Sequence, residues 1–370
     1  MSNAVINQIP ALTWTWLKMN KAIISDDDIL NSALSFENAD YKVISKPDSV
    51  RIIKKDKFKT SLSSPLSAVF SKTSELGIQY KKVKEPESTA FNESKTETLF
   101  LEASKKETAP VVINVNAKGK CVSEQIIHAL PDSEITVILV TESKENDGVN
   151  LIRTKCYAEE NAKIHLCKVQ LLSDGFYHID STENVCGENA KITYTELQLG
   201  AASVITGAYT NLSEYKASYK SDTAYYRKGN QKIDMNYVCA HSPKGKKSEC
   251  SMAVAGTLTD EAQKTYRGTI DFKRGCAGAK GNETEETLLL SPKAVNRSVP
   301  VILCDEEDVE GEHGATIGRL NDDMLFYMES HGISEEEACA LMARAKINAV
   351  SAKIPDEKTQ EMVETFLEKL

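Results

Sequence analysis

Residues 160–172 read ENAKIHLCKVQLL, and one 28-residue step later residues 188–200 read ENAKITYTELQLG. Glu160 to Ile164 recur unchanged as Glu188 to Ile192, and Gln170-Leu171 recur as Gln198-Leu199. A weaker echo, NQKIDMNYVCAH, begins at Asn230. Each copy passes from turn formers into residues of strand character. This suits one coil of a parallel β-helix, whose inward side chains are buried only by stacking on neighbouring coils. A sandwich of two similar hairpins is the competing arrangement for the same pattern.

Working outward, short β-rich runs such as PVVINV and EITVILV fill residues 96–318, separated by Gly, Asn, Asp and Ser. No long helical pattern interrupts them, which argues against a βαβ sheet. Residues 1–95 mix short helical patterns with loops. Trp14 and Trp16 suit an aromatic anchor on the body, Ser25 suits a helix N-cap with acids in its first turn, and the Lys- and Glu-rich stretch 80–98 reads as a solvated connector. Residues 319–370 carry three short helical patterns. In the first, Asn321 caps, Leu325, Phe326 and Met328 form an apolar side, and His331-Gly332 ends the helix. In the second, Ser334 and Glu337 have capping-box spacing, Ile333 and Ala338 suit a hydrophobic staple, and Ala338, Leu341, Met342 and Ala345 form the expected apolar face. The third, from about residue 357, carries Met362, Val363, Phe366, Leu367 and Leu370. These helices read as a separable module, a cap on the body or a docking surface. The expected fold is thus mainly β, a parallel β-helix core flanked by an N-terminal mixed or helical segment and a small C-terminal helical domain.

A formal charge of −9 in 370 residues argues against general nucleic-acid binding. No apolar run is long enough to span a bilayer, and the polar start MSNAVINQIP lacks the layout of a secretion signal, so a cytoplasmic protein with no membrane association is expected. Nine cysteines, with no CxxC pair and no tight cluster in sequence, suit neither a disulfide framework nor a zinc ribbon, and Cys156 and Cys167 read as small core residues. There is no GxxxxGK[ST] loop, GxSxG elbow or HExxH helix. Gly275, Gly278 and Gly281 suit a flexible turn, and the basic run HSPKGKKSEC, residues 241–250, suits a solvated hairpin tip more than an anion site. His313 lies where the β body passes into the helices, between Glu312 and Gly314. A neighbouring carboxylate orients an imidazole and a glycine admits a close approach, although a purely structural histidine fits the same pattern.

Residues 308–345, DVEGEHGATIGRLNDDMLFYMESHGISEEEACALMARA, resemble the C-terminal signature of the SufB/SufD family of iron–sulfur cluster assembly proteins: HGATxGxLD, LFYLxSRGI, then SxxEA. Upstream, YRGTIDFKRGCAGAKGNETEETLLLSPKA, residues 266–294, is similar to the family's YRG and LLLS segments. The resemblance implies a right-handed parallel β-helix and a non-catalytic scaffold subunit. It further implies docking of a separate SufC-type ABC ATPase through the C-terminal helices, where Leu325, Phe326, Tyr327, Ile333, Leu341 and Met342 are the candidate contacts. A SufB-type partner is implied too, with a homodimer allowed for the isolated chain and a homodimeric scaffold without a separate SufB as the alternative reading. No tightly bound cofactor is expected in the isolated chain, only a transient iron–sulfur cluster at the complex interface. By motif match His313 is the interface histidine, with Glu312, Cys304 and Cys276 as further cluster-assembly candidates. Where SufB-type members carry an acceptor cysteine this chain has Glu285 or Glu286, and Gly314 replaces a glutamate after the histidine. Both departures favour the SufD type, although Gly311 stands where SufD members often have cysteine. Outside the family, a β-helix carbohydrate-active enzyme would need clustered carboxylates on an exposed face, which the sequence does not show.

Overall fold

Alternation decides which way each strand faces. In the strand Lys163–Gln170, Ile164 and Leu166 enter one buried cluster while Cys167 and Val169 enter a different one on the opposite face. A strand buried on both faces belongs inside a stack rather than on a solvated sandwich. The partner supplied by the 28-residue step is the strand Lys191–Gln198, parallel and in register from Lys163↔Lys191 to Gln170↔Gln198. The repeat is therefore one coil. Its recurring Glu-Asn forms the corner: Asn161 and Asn189 adopt φ of 54° and 51°, a left-handed conformation that asparagine tolerates better than most residues. Asp132 holds the same corner one coil earlier, and the Asn161 side-chain amide donates to its carboxylate at 3.0 Å.

The computed structural model describes residues 4–11, 19–24, 37–55, 81–82, 98–319 and 322–369. Within them successive strands alternate between a nine-stranded and a ten-stranded sheet, giving a parallel β-solenoid of about eight turns. At its first coil the stack is closed by antiparallel strands, Asp40–Ser45 on Val111–Asn116 and Arg51–Lys55 on Thr98–Ala103. At the other end the strands Val295–Cys304 and Val309–Gly318 are the sheet edges among the described residues. The described parts of the N-terminal region are short strands, and residues 4–11 lie against the outer face of the ten-stranded sheet, where the Asn7 amide donates to the Asp234 carboxylate at 2.6 Å. Trp14, Trp16, Ser25 and the Asn321 cap lie outside the described residues.

Three helices follow the solenoid: α1 (Asp322–Ser330), α2 (Glu335–Ser351) and α3 (Glu357–Leu367). Gly332, at φ +84°, ends α1, with Ile333 N–H donating to Met328 O and Gly332 N–H to Glu329 O, the paired bonds of a Schellman stop. Ser334 and Glu337 form the expected capping box. The last two helices pack directly on the body. Ile347, Val350, Ile354, Val363 and Leu367 pack on Val112, Ile138, Val140, Cys167, Val169, Leu197 and Leu199 of the nine-stranded sheet, each such side chain stabilising by roughly 1.5–3 kcal/mol when fully buried. The buried face of α2 is accordingly Ala338, Ala343, Ile347 and Val350, whereas Leu341 and Ala345 are exposed and Met342 is half-buried. Ile347 and Val350 lie beyond the window that suggested the other face, and their contact with the sheet sets the helix rotation. No helix among the described residues is long and apolar enough to cross a membrane.

Two further expectations change. The echo at Asn230 is not a third copy of the same strand, because Lys232–His241 belongs to the ten-stranded sheet, while Lys163 and Lys191 are followed in register by Ser218 and Glu249. Every coil has a corner and a strand in each sheet, so a turn-then-strand motif occurs twice per coil. Nor do residues 242–248 form a hairpin tip; they join Lys232–His241 to Glu249–Leu258, strands of different sheets. The turn holding Gly275 and Gly278 is pinned by Gly275 N–H to the Glu306 carboxylate at 2.7 Å and Gly278 N–H to Asp308 O at 2.6 Å, and Gly281 lies within a strand.

Coil spacing leaves little tolerance at Gly207, where an added Cβ would lie 2.1 Å from the Asn236 carbonyl oxygen of the next coil. Gly207→Ala is expected to lower the urea unfolding midpoint by an amount equivalent to roughly 1–3 kcal/mol, the usual cost of overpacking. An unchanged midpoint would show that the coils part there without strain.

Candidate functional site

The strand Val309–Gly318 stacks on Ala279–Leu289 with Gly281↔Gly311, Glu283↔His313 and Glu285↔Ala315 as partners. A Cβ at Gly311 would meet Phe272 at 3.0 Å and Ile302 at 3.5 Å, so position 311 faces the lumen, and strand alternation places His313 on that inner face as well. His313 is exposed because no further coil covers it among the described residues. Glu312 and Gly314 fall on the outer face. The carboxylate that His313 meets is therefore not its sequence neighbour but Glu283, one coil below.

Glu283 is buried, and its carboxyl is pushed above the usual range by that burial; the neighbouring Tyr266 and the charges of His313 and Lys264 act in the opposite direction. Across the lumen, on the strand Gln263–Phe272 of the other sheet, Lys264 is fully buried and held well below the ordinary lysine range by desolvation. Its ammonium contacts the Glu285 carboxylate, which also accepts from Ser298 and, at 3.1 Å, from Thr287. Thr287 in turn meets the Tyr225 hydroxyl at 2.9 Å. Further down, Glu196 accepts from Tyr237, from Thr206 at 2.6 Å and from Gln198 at 2.8 Å, and Lys168 pairs with Asp180 at 2.5 Å. Burial raises both acids. A lumen so rich in bonded titratable groups, opening at one end on an imidazole, has the make-up of a functional site.

The candidate cysteines divide. Cys304 pairs in register with Phe272 at the last coil; it is exposed, with its thiol 3.0 Å from Glu306 O. Cys276 is buried in the turn below, its thiol pushed up to about 11 by desolvation first and then by Glu306, with Cys304 contributing. The two thiols thus share one corner, and Cys304 and His313 both lie on the open coil. Of the acids at the position of the missing acceptor cysteine, Glu285 is buried in the Lys264 contact, whereas Glu286 is exposed and contacts Lys346 of α2. Among the helical candidates Phe326, Tyr327 and Leu341 are 73%, 64% and 49% exposed, while Leu325, Ile333 and Met342 are half-buried.

Glu283, Tyr266, Lys264 and Ser298 were not singled out from the sequence. The alternation in residues 279–287 puts positions 283, 285 and 287 on one face. Pairing 283 with 313 additionally requires the coil length, which only stacking supplies.

Residues 112–346 match the family model described as the SufBD core domain of SUF system FeS cluster assembly. The iron–sulfur cluster assembly protein SufD of Bacillus subtilis (strain 168) is 26% identical over 247 residues, covering 66% of this chain and 56% of that protein. A chloroplastic iron–sulfur cluster assembly SufBD family protein of Arabidopsis thaliana is 26% identical over 190 residues, 50% of this chain and 33% of the relative. An iron–sulfur cluster assembly SufBD family protein of Staphylococcus aureus (strain USA300) is 24% identical over 253 residues, 60% and 53% respectively. In two of these three comparisons the chain spans about half of the relative's length, and in the third a third of it.

The buried acid gives a pH signature. A carboxyl whose folded-state pKa lies above its unfolded value of 4.5 costs stability when ionised; that cost is absent below the unfolded pKa and grows as pH rises through the folded one. Glu283→Gln is expected to raise the urea midpoint at about pH 8, with the gap to the parent closing as pH falls towards about 4. A gap that widens in acid would assign Glu283 a stabilising charge instead.

Proposed function

The chain belongs to the SufBD family of iron–sulfur cluster assembly proteins of the SUF system, and from that premise we propose that it is a SufD-like scaffold subunit without catalytic activity of its own. It pairs with a SufB-type subunit at the open last coil and recruits a SufC-type ABC ATPase through α1 and the start of α2. The observation that carries this reading is the exposed His313 on the inner face of an unstacked coil, above the buried Glu283.

Each element of the proposal has physical support. The edge strands Val295–Cys304 and Val309–Gly318 carry backbone groups on which a partner can build. Phe326 and Tyr327 offer exposed aromatic surface of the kind that anchors protein interfaces. All nine cysteines are free, which suits a reducing cytoplasm. With Glu285 engaged by Lys264, this chain presents no thiol at the position of the SufB-type acceptor cysteine. An iron–sulfur cluster, as cargo, would then draw thiolates mainly from the partner, with His313 as a nitrogen ligand and Cys304 as the one exposed thiol on the same coil.

Reconstitution with SufB-type and SufC-type subunits tests both surfaces. His313→Ala is expected to leave the complex intact on a sizing column and to lower the cluster formed in it; an unchanged yield would remove His313 from the assembly step. Phe326→Ala with Tyr327→Ala is expected to weaken ATPase capture by roughly 30-fold or more, the effect of losing one interface hot spot or better, while SufB pairing is kept. Full retention of the ATPase would place its dock elsewhere. Point variants are preferred to deleting the helices, because removing α2 and α3 would uncover the nine-stranded sheet.

A further inference from the structure

Away from the open coil, the lumen brings together three metal-binding side chains that lie up to eleven positions apart in sequence. Cys239 and His241 stand two residues apart on the inner face of Lys232–His241, and Cys250 is the second residue of Glu249–Leu258 in the facing sheet. All three are buried, and their ligand atoms, one from each residue, lie within 4.8 Å of one another. Tetrahedral zinc, with bonds of about 2.3 Å to sulfur and 2.0–2.1 Å to nitrogen, needs such atoms about 3.5–3.8 Å apart, so small side-chain shifts suffice.

The imidazole is prepared for the role by its neighbours. Ser248, in the corner joining the two strands, donates its hydroxyl proton to Gly245 O at 2.6 Å. Its oxygen lies 2.7 Å from His241 Nδ1, and with its own proton committed it is the acceptor there. Nδ1 therefore carries the ring proton and Nε2 the lone pair. Nε2 is buried and has no hydrogen-bond partner among the described residues, an unfavourable state for a polar atom. Phe272 stacks on the ring at a centroid separation of 4.7 Å and fixes its plane. An oriented neutral histidine beside two thiols is the donor set of a thiophilic metal, and a hydroxyl on the far ring nitrogen is the support such ligands commonly have.

We propose that Cys239, His241 and Cys250 form a metal site inside the solenoid for a thiophilic divalent ion of the zinc class. Binding replaces the two thiol protons by one divalent cation and releases both protons to solvent. The metal with two thiolates and a neutral imidazole has no net charge, which makes burial far less costly than for a bare ion. Three protein ligands leave a fourth tetrahedral position open. The site tethers the two sheets to each other one coil below Phe272, and so braces the end of the stack that carries His313.

The test uses the full chain, stripped of metal, reduced, and refolded from urea with Co²⁺ so that a buried site can load. The expected result is one Co²⁺ per chain, thiolate-to-cobalt charge transfer together with d–d bands of tetrahedral intensity, displacement by one equivalent of Zn²⁺, and release of about two protons per metal. These features are expected to be lost in Cys239→Ala and Cys250→Ala and retained in Cys304→Ser. Ser248→Ala keeps all three ligands and is expected to weaken binding by roughly 10- to 100-fold, so the outcome does not depend on the ligand variants folding. Absence of the bands from the refolded parent, their loss with Cys304→Ser, or unchanged affinity in Ser248→Ala would each overturn the proposal.

Discussion

Everything in this molecule depends on one interaction, the in-register parallel hydrogen bonding of each coil to the next. No coil has a core of its own. Ile164 and Ile192 are partners in register, as are Leu166 and Tyr194, and each is buried because its neighbours cover it. The corners obey the same rule. Asp132 N–H donates to Glu160 O, Asn161 N–H to Glu188 O and Asn189 N–H to Tyr215 O, so the left-handed corner residues form a ladder of their own. Stability is then a sum of interfaces between neighbours, and an end coil, with one neighbour, is the least supported part of the sheets.

Stacking turns a sequence position into a column, and this explains the lumen. In the ten-stranded sheet Ala158, Cys186, Leu212, His241, Phe272 and Cys304 succeed one another in register. Elsewhere the inward positions are taken by Lys168, Asp180, Glu196, Lys264, Glu283 and Glu285. Isolated charges at such positions would be prohibitive, yet here each is answered by a hydroxyl, an amide or an opposite charge on the next coil or across the lumen. Polar filling of this kind is a weak source of stability. Its value lies in register, because a coil shifted by one residue would turn every one of these groups to the wrong face.

The repeat and the Glu-Asn corner were legible because they are local, as were the Ser334–Glu337 capping box and the Gly332 stop, whose partners lie within a few residues. What stayed hidden depends on coil length. Lys163 is followed in register by Lys191, Ser218, Glu249, Lys280 and Glu310, so the step along that sheet varies from 27 to 31 residues. A fixed period fails after two coils. It missed Glu283 beneath His313 and took the strand at Asn230 for one of the wrong sheet. The α2 face was misjudged for a related reason: the strands it covers, Lys191–Gln198, Ser218–Arg227 and Glu249–Leu258, lie far upstream in the chain. Glu312, adjacent in sequence, was the plausible partner of His313, but in a strand adjacency places two side chains on opposite faces.

The same geometry assigns different work to the two ends. At the N-terminal end antiparallel strands close the first coil; between the ends, helices cover the outer face of one sheet and residues 4–11 lie along the other. At the C-terminal end the last inward residues, Ser298, Ile302, Cys304, Gly311 and His313, have no coil above them among the described residues. Natural sheets protect their edges against unwanted pairing unless pairing is their purpose. Here the edge is long, and it carries an imidazole and a thiol above a buried carboxylate that a covering partner would further desolvate. Covering it would strengthen the electrostatic coupling between His313 and Glu283, because fewer waters would screen them. A partner seated on this coil would therefore complete the stack and alter the surroundings of its last inward histidine in the same step.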